Sequence, residues 1–262
     1  MTTILFPIDN VAEYIDASVT SILSQTFTTW ELLIGIYGNN QVYKKVKEYE
    51  NKDERIHVFN FYKKHIDKAK AKTLNKLVMY AKYNFISFID VGDIWQTDKL
   101  KIQIPLMEIY DVVGSNVSWL QEMEEIEEEM EEEMEEIEEE MKEEMEEMKD
   151  MEEIKEMEED MEEEMKEMKE MKENLFIQIP INDISEYDFS ISNPIIHSSA
   201  MIRLELAWWD PRLVLNEYDL WIRLRKQNKK MYNYQDCLLV KKYQPNYCVN
   251  VESLIDYHFG KI

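Results

Sequence analysis

Phe85-Ile-Ser-Phe-Ile-Asp-Val-Gly-Asp-Ile-Trp95 is a short apolar run that ends abruptly in carboxylates. Phe85–Ile89 is too short for a helix and rich in strand-forming types, so it reads as a buried strand closed by Asp90. Similar runs precede it at Ile4–Phe6, Glu31–Ile34 and Ile56–Phe59. Helical patterns follow each: Val11–Gln25, a Lys-rich stretch from Gln41 after the Gly38-Asn-Asn turn, and Lys68–Tyr80. A helix from Thr97 and a strand at Asp111–Val113 come next. Strands alternating with helices predict an α/β fold, a mostly parallel sheet flanked by helices. Ligands in such sheets bind beyond the carboxyl ends of the strands. Asp90 and Asp93 sit at one of those ends and are the first candidates for chemistry.

Charge divides the chain. Of 55 acidic and 30 basic residues, 31 acidic but only 6 basic ones fall in 121–173, so the remainder is neutral. That neutrality argues against a nucleic-acid partner. Residues 121–173 are low-complexity, with Met or Ile recurring at a mean spacing of about 3.4, close to a coiled-coil seam. Glu, Met and Lys favour helix and no Gly or Pro interrupts them, which predicts one long helix of roughly 80 Å. Repelling Glu pairs weaken it, and a seam of Met specifies a partner poorly. The segment reads first as surface decoration; a self-associating or partner-binding coiled coil and an acidic spacer are the alternatives.

The expected organisation is therefore 1–118, an inserted helix over 119–174, and 175–262 completing the first domain. Beyond the insert, Ile184–Phe189 is expected to make a helical turn and Ser199–Ile202 a strand. Leu215–Gln227 is expected as an amphipathic helix, Met231–Tyr243 as strand and the last fifteen residues as helix. Two cysteines imply no disulfide framework. The N-terminus lacks a signal-peptide pattern and no run reaches the length of a membrane span, so a cytoplasmic protein is expected.

Four stretches together resemble the family 2 glycosyltransferases, which have the GT-A fold. They are Pro7–Ile15 with Ser21–Phe27 and Trp30–Ile34; Lys72–Leu77 through Phe88–Trp95 and Asp98–Leu100; Asn193–Arg203; and Asn216–Leu224. The resemblance covers nearly all of 1–118 and 175–245 and none of the insert. It implies an enzyme that moves a sugar, with inversion, from a nucleotide-diphosphate donor, a UDP-sugar by family default, to an acceptor hydroxyl on a glycan, lipid or protein. A catalytically impaired binding module and an acidic-helix interaction protein are the alternatives.

The chemistry requires a cation to offset the diphosphate and a carboxylate to take the acceptor's proton. The resemblance assigns a divalent metal, Mn²⁺ or Mg²⁺, to Asp93 and Asp90, and the base to Glu217. Asp219 is the fallback base, read first as an i,i+4 partner of Arg223. Pro7, Asp9, Tyr37, Lys72 and Asp90 are expected on the donor, and His197 and Trp221 on the acceptor or phosphate side. Trp208 and Trp209 are read first as core, with sugar stacking as the alternative. The sequence departs from the family pattern at Gly92, where a carboxylate is usual, at Asn216-Glu217, and at Gly35-Ile-Tyr-Gly-Asn39, which lacks the usual acid.

Overall fold

Strand β1 (Thr2–Ile8) is buried at all seven positions and forms the middle of the sheet, so it must be apolar on both faces. It pairs in parallel with β2 (Trp30–Ile36), from Thr2 opposite Trp30 to Ile8 opposite Ile36. On its other side it pairs in parallel with β4 (Phe85–Phe88), but only as far as Leu5 opposite Phe88. Pro7, which has no N–H to give, thus lies beyond the β4 ladder and costs it nothing. The structure is a computed structural model and describes residues 1–9, 14–37, 40–61, 69–119, 179–241 and 251–259.

β3 (Ile56–Asn60) extends the parallel part outward from β2. Helix α1 (Ile15–Leu23) follows β1, α2 (Asn40–Lys52) follows β2, and α3 (Ala69–Val78) joins β3 to β4. α3 buries Ala71, Leu74 and Leu77, a helical stripe. It approaches β2 closely because Gly35 has no side chain: a Cβ there would lie 2.5 Å from Thr73 Cγ2. The chain leaves β1 towards β2 and β3, then returns to β4 on the opposite side of β1. This reversal makes β1/β4 the switch point at which the strand ends open a crevice.

Past β4 the sheet becomes antiparallel. The order is β3-β2-β1-β4-β8-β6-β9-β5, with β7 (Asn182–Asp183) beside β9. β8 (Met201–Arg203) runs antiparallel to β4 and to β6 (Val112–Trp119). β9 (Met231–Lys241) runs antiparallel to β5 (Ile94–Trp95). α4 (Lys99–Leu106), α5 (Asn216–Lys226) and α6 (Val251–Phe259) complete the elements described. Met1–Ser118 and Ile179–Ile262 make one compact unit.

Two expectations need correction, and one strand had no expectation at all. Ile184–Phe189 makes turns and no helix, and its Ile184 and Phe189 are buried in the core instead. β8 starts at Met201, because His197–Ser199 winds into a 3-10 turn. Ile94–Trp95 forms a strand that two residues alone cannot signal. The long helix expected over 121–173, the turn at Gly38-Asn39 and the start of the first expected helix lie outside the described residues. Among the described residues, no helix is long and apolar enough to cross a membrane.

Candidate active site

Asp90 and Asp93 bracket a turn at the carboxyl end of β4, closed by Asp93 N–H donating to Asp90 C=O at 3.2 Å. Gly92 takes a φ of 92° inside it, a left-handed conformation that strains any residue with a Cβ. The turn is held from two sides. Ser18 of α1 accepts from Gly92 N–H at 3.0 Å and donates to Asp93 C=O at 2.8 Å. Ser198 accepts from Asp90 N–H at 3.1 Å, and its carbonyl receives Trp95 Nε1–H at 3.0 Å.

Glu217 stands in the first turn of α5, where the partial positive charge of the helix end favours a carboxylate. Its side chain meets that of Asp90 through a lysine. Lys70 Nζ lies 2.7 Å from Asp90 Oδ1 and 2.5 Å from Glu217 Oε1. Asp90 and Glu217 keep 23% and 29% of their side-chain surface, so both face the crevice. Asp93 is buried and its carboxylate pairs with Lys241 Nζ at 3.1 Å, from the end of β9.

His197 Nδ1 is 3.5 Å from Glu217 Oε1. Its ring stacks on Phe88 at 4.4 Å between centroids, meets Trp209 edge-on and lies tilted by 44° to Trp221. Neither ring nitrogen has a hydrogen-bond partner among the described residues.

The charges tune one another. Burial pushes the Asp90 carboxyl up, but Lys70, Lys241 and His197 more than reverse this and hold it below its ordinary range. Burial also opposes charge on Glu217, yet His197 and Lys70 bring it below its ordinary value. Asp93 moves the other way: burial raises it more than Lys241 lowers it. Lys70 is raised in spite of burial because Asp90 and Glu217 flank it, and Lys241 likewise because of Asp93 and Asp90. Burial lowers His197 more than the neighbouring Glu217 and Asp90 raise it. The carboxyl groups of Asp90, Asp93 and Glu217 thus lie among the ammoniums of Lys70 and Lys241, with the His197 ring beside them. A diphosphate brings further negative charge to this site, which a divalent cation entering with it would offset.

The donor set fits such a cation. Ligand atoms of Asp90, His197 and Glu217 all lie within 4.8 Å of one another, and the imidazole nitrogens are otherwise unpartnered.

Other expected site residues divide. Asp9 and Tyr37 emerge at the carboxyl ends of the adjacent strands β1 and β2, tied by Tyr37 N–H donating to Ile8 C=O at 2.9 Å. Pro7 is buried within β1. Lys72 is exposed on α3, on the side of the helix away from Lys70; residues two apart on a helix do not face the same way. Asp219 is buried, with Arg223 Nε at 2.8 Å and His258 Nε2 at 2.8 Å on its two oxygens, so it ties α6 to α5. Trp221 and Trp209 are fully buried around His197, which places Trp221 in the core and off the acceptor face. Trp208 is exposed and lies against the Arg223 guanidinium. Lys70, Lys241, Ser18 and Ser198 belong to the site and were not singled out from the sequence; only Ser198 fell within a stretch marked by resemblance.

The family model for glycosyl transferase family 2 matches residues 3–163. An Escherichia coli UDP-Glc:alpha-D-GlcNAc-diphosphoundecaprenol beta-1,3-glucosyltransferase, WfgD, is 33% identical over 121 residues, 46% of this chain and 44% of that protein. A Bacillus subtilis putative teichuronic acid biosynthesis glycosyltransferase, TuaG, is 31% identical over 111 residues, 41% of this chain and 42% of that protein. The chain thus spans less than half the length of either relative. The structure of S. aureus TarS 1-349 in complex with UDP superposes with a TM-score of 0.62 at 13% identity, over 99% of this chain and 65% of that one. The mannosyltransferase PcManGT of Pyrobaculum calidifontis, in complex with GDP-Man and Mn2+, gives 0.57 at 12% identity, over 98% and 61%. At those identities the likeness is one of fold, here the GT-A fold.

Proposed function

Since the chain belongs to glycosyl transferase family 2, we propose that it transfers a sugar, with inversion, from a UDP-sugar to an acceptor hydroxyl. The observation that carries this is the meeting of Asp90 and Glu217, 127 positions apart in sequence, on one ammonium in the crevice at the β1/β4 switch point. A donor-side carboxylate and a base must converge in that way if one sugar is to lie between them.

In this reading the nucleoside lies over the ends of β1 and β2, against Asp9 and Tyr37. Asp90 would hold a divalent cation, Mn²⁺ or Mg²⁺, with Asp93 joining it where Lys241 gives up its carboxylate, and the cation's charge offsets that of the diphosphate leaving group. Glu217 takes the acceptor hydroxyl's proton while that oxygen bonds to the anomeric carbon; the bond to the diphosphate breaks and its electron pair leaves with the nucleotide. His197, stacked on Phe88, lies beside the Glu217 carboxylate on its inner side. The acceptor is a glycan, lipid or protein hydroxyl.

The test is calorimetric titration with UDP, with and without Mn²⁺, for the wild type and Asp93→Ala. Metal-dependent binding that the variant loses is the expected result. Absence of UDP binding in both conditions would overturn the donor assignment. Gly92, which supplies no carboxylate at φ 92°, favours one second reading, a binding module of the same fold. UDP binding without turnover of any UDP-sugar would select it.

A further inference from the structure

Lys70 stands at the one point where the donor-side and base carboxylates meet, and nothing in the proposed chemistry gives it a task. Its ammonium is within 2.7 Å of Asp90 and 2.5 Å of Glu217, and Glu217 in turn is 3.5 Å from His197. These are also the residues whose ligand atoms converge within 4.8 Å. A lysine ammonium and a divalent cation cannot share such a space: both need the same carboxylate oxygens, and like charges a few ångströms apart repel strongly in a partly desolvated crevice.

We propose that Lys70 is a displaceable counter-ion that couples cation loading at Asp90 to release of the Glu217 carboxylate. Before loading, the ammonium bridges both carboxylates, so the base is masked. A cation that takes Asp90 also lies within a few ångströms of Glu217 and repels the ammonium from both carboxylates, so that Glu217 Oε1 becomes free to accept a proton. The crevice has room for that movement, since Lys70 retains 29% of its side-chain surface. Lys70 stands in the N-terminal turn of α3, and its ammonium is held by the pairs with Asp90 and Glu217. The device rests on the reading of Asp90 and Glu217 given above, and it makes Lys70 a positioning residue for the reaction.

The test measures Mn²⁺ binding by the full chain without nucleotide, by calorimetry or by the electron-spin signal of free Mn²⁺. Lys70→Met removes the competitor while keeping the length of the stem, and the expected result is at least tenfold tighter Mn²⁺ binding. Lys70→Arg supplies a permanent, forked cation that holds both carboxylates more firmly, and at least severalfold weaker binding is expected. Unchanged or weaker binding in Lys70→Met would overturn the proposal, and so would wild-type affinity in Lys70→Arg should the first variant fail to fold. Titration of the same proteins with UDP separates the two ideas. Tighter Mn²⁺ binding in Lys70→Met with no UDP binding by the wild type would remove the donor reading and leave the competition at Asp90 intact.

Discussion

Replacing Glu217 by Gln tests the base with the least disturbance to everything else. The side chains are isosteric, and the amide oxygen can still accept from Lys70, which keeps its 2.7 Å pair with Asp90. Glu217 is 29% exposed, so the weakened pair should cost the fold only about 1 kcal/mol or less. The amide cannot take a proton. Loss of general-base assistance should lower kcat by roughly 10²–10⁴-fold, which is about 3–5 kcal/mol in the barrier. The assay is UDP release from a panel of UDP-sugars with simple glycoside acceptors, alongside UDP binding by calorimetry. UDP affinity should stay within a few-fold of the wild type while turnover collapses. Retention of more than a tenth of the wild-type rate would refute the assignment and move the base elsewhere in the crevice.

Lys241→Met would leave the Asp93 carboxylate buried without its ion pair, and the melting midpoint should fall by an amount equivalent to about 2 kcal/mol, discounted because Lys241 is itself 24% exposed. The buried His197 sets a pH dependence. Its folded pKa lies below that of the unfolded chain, so the unfolded state takes up a proton first and stability falls as pH drops through about 6.5, by up to about 1.4 kcal/mol per pH unit. Chemical denaturation at pH 7.5 and 5.5 should show this loss in the wild type and a smaller one in His197→Asn; equal losses would contradict it. Trp221→Ala should destabilise by about 3–5 kcal/mol, because a fully buried indole is removed from around His197. Trp208→Ala, on the exposed neighbour of that cluster, should change stability by less than about 1 kcal/mol.

The parallel half of the fold was legible because each element announced itself locally. An apolar run closed by Asp90 and a helical stripe at Ala71, Leu74 and Leu77 are short-range patterns, and short-range patterns survive in one dimension. Glu217 was legible for a similar reason, since it opens an amphipathic helix in a stretch that resembles a known motif. Lys70 was not. Lys70 and Lys72 differ in sequence by two positions and in space by opposite faces of α3, and only the packing of that helix on β2 chooses between them. Trp208 and Trp209 pose the same problem at one residue's separation.

What the sequence determined by itself is thus the class of sheet, the family pattern and the carboxylates at the ends of its elements, since hydrophobic period and turn chemistry act over a few residues. Tertiary structure alone decided which cations meet those carboxylates. Lys241 reaches Asp93 because β9 pairs with the two-residue strand Ile94–Trp95, and Lys70 joins Asp90 to Glu217 because the switch in strand order sets α5 beside the end of β4. Such contacts are fixed by chain crossings between distant segments, and electrostatic balance follows distance in space, which a linear pattern does not carry.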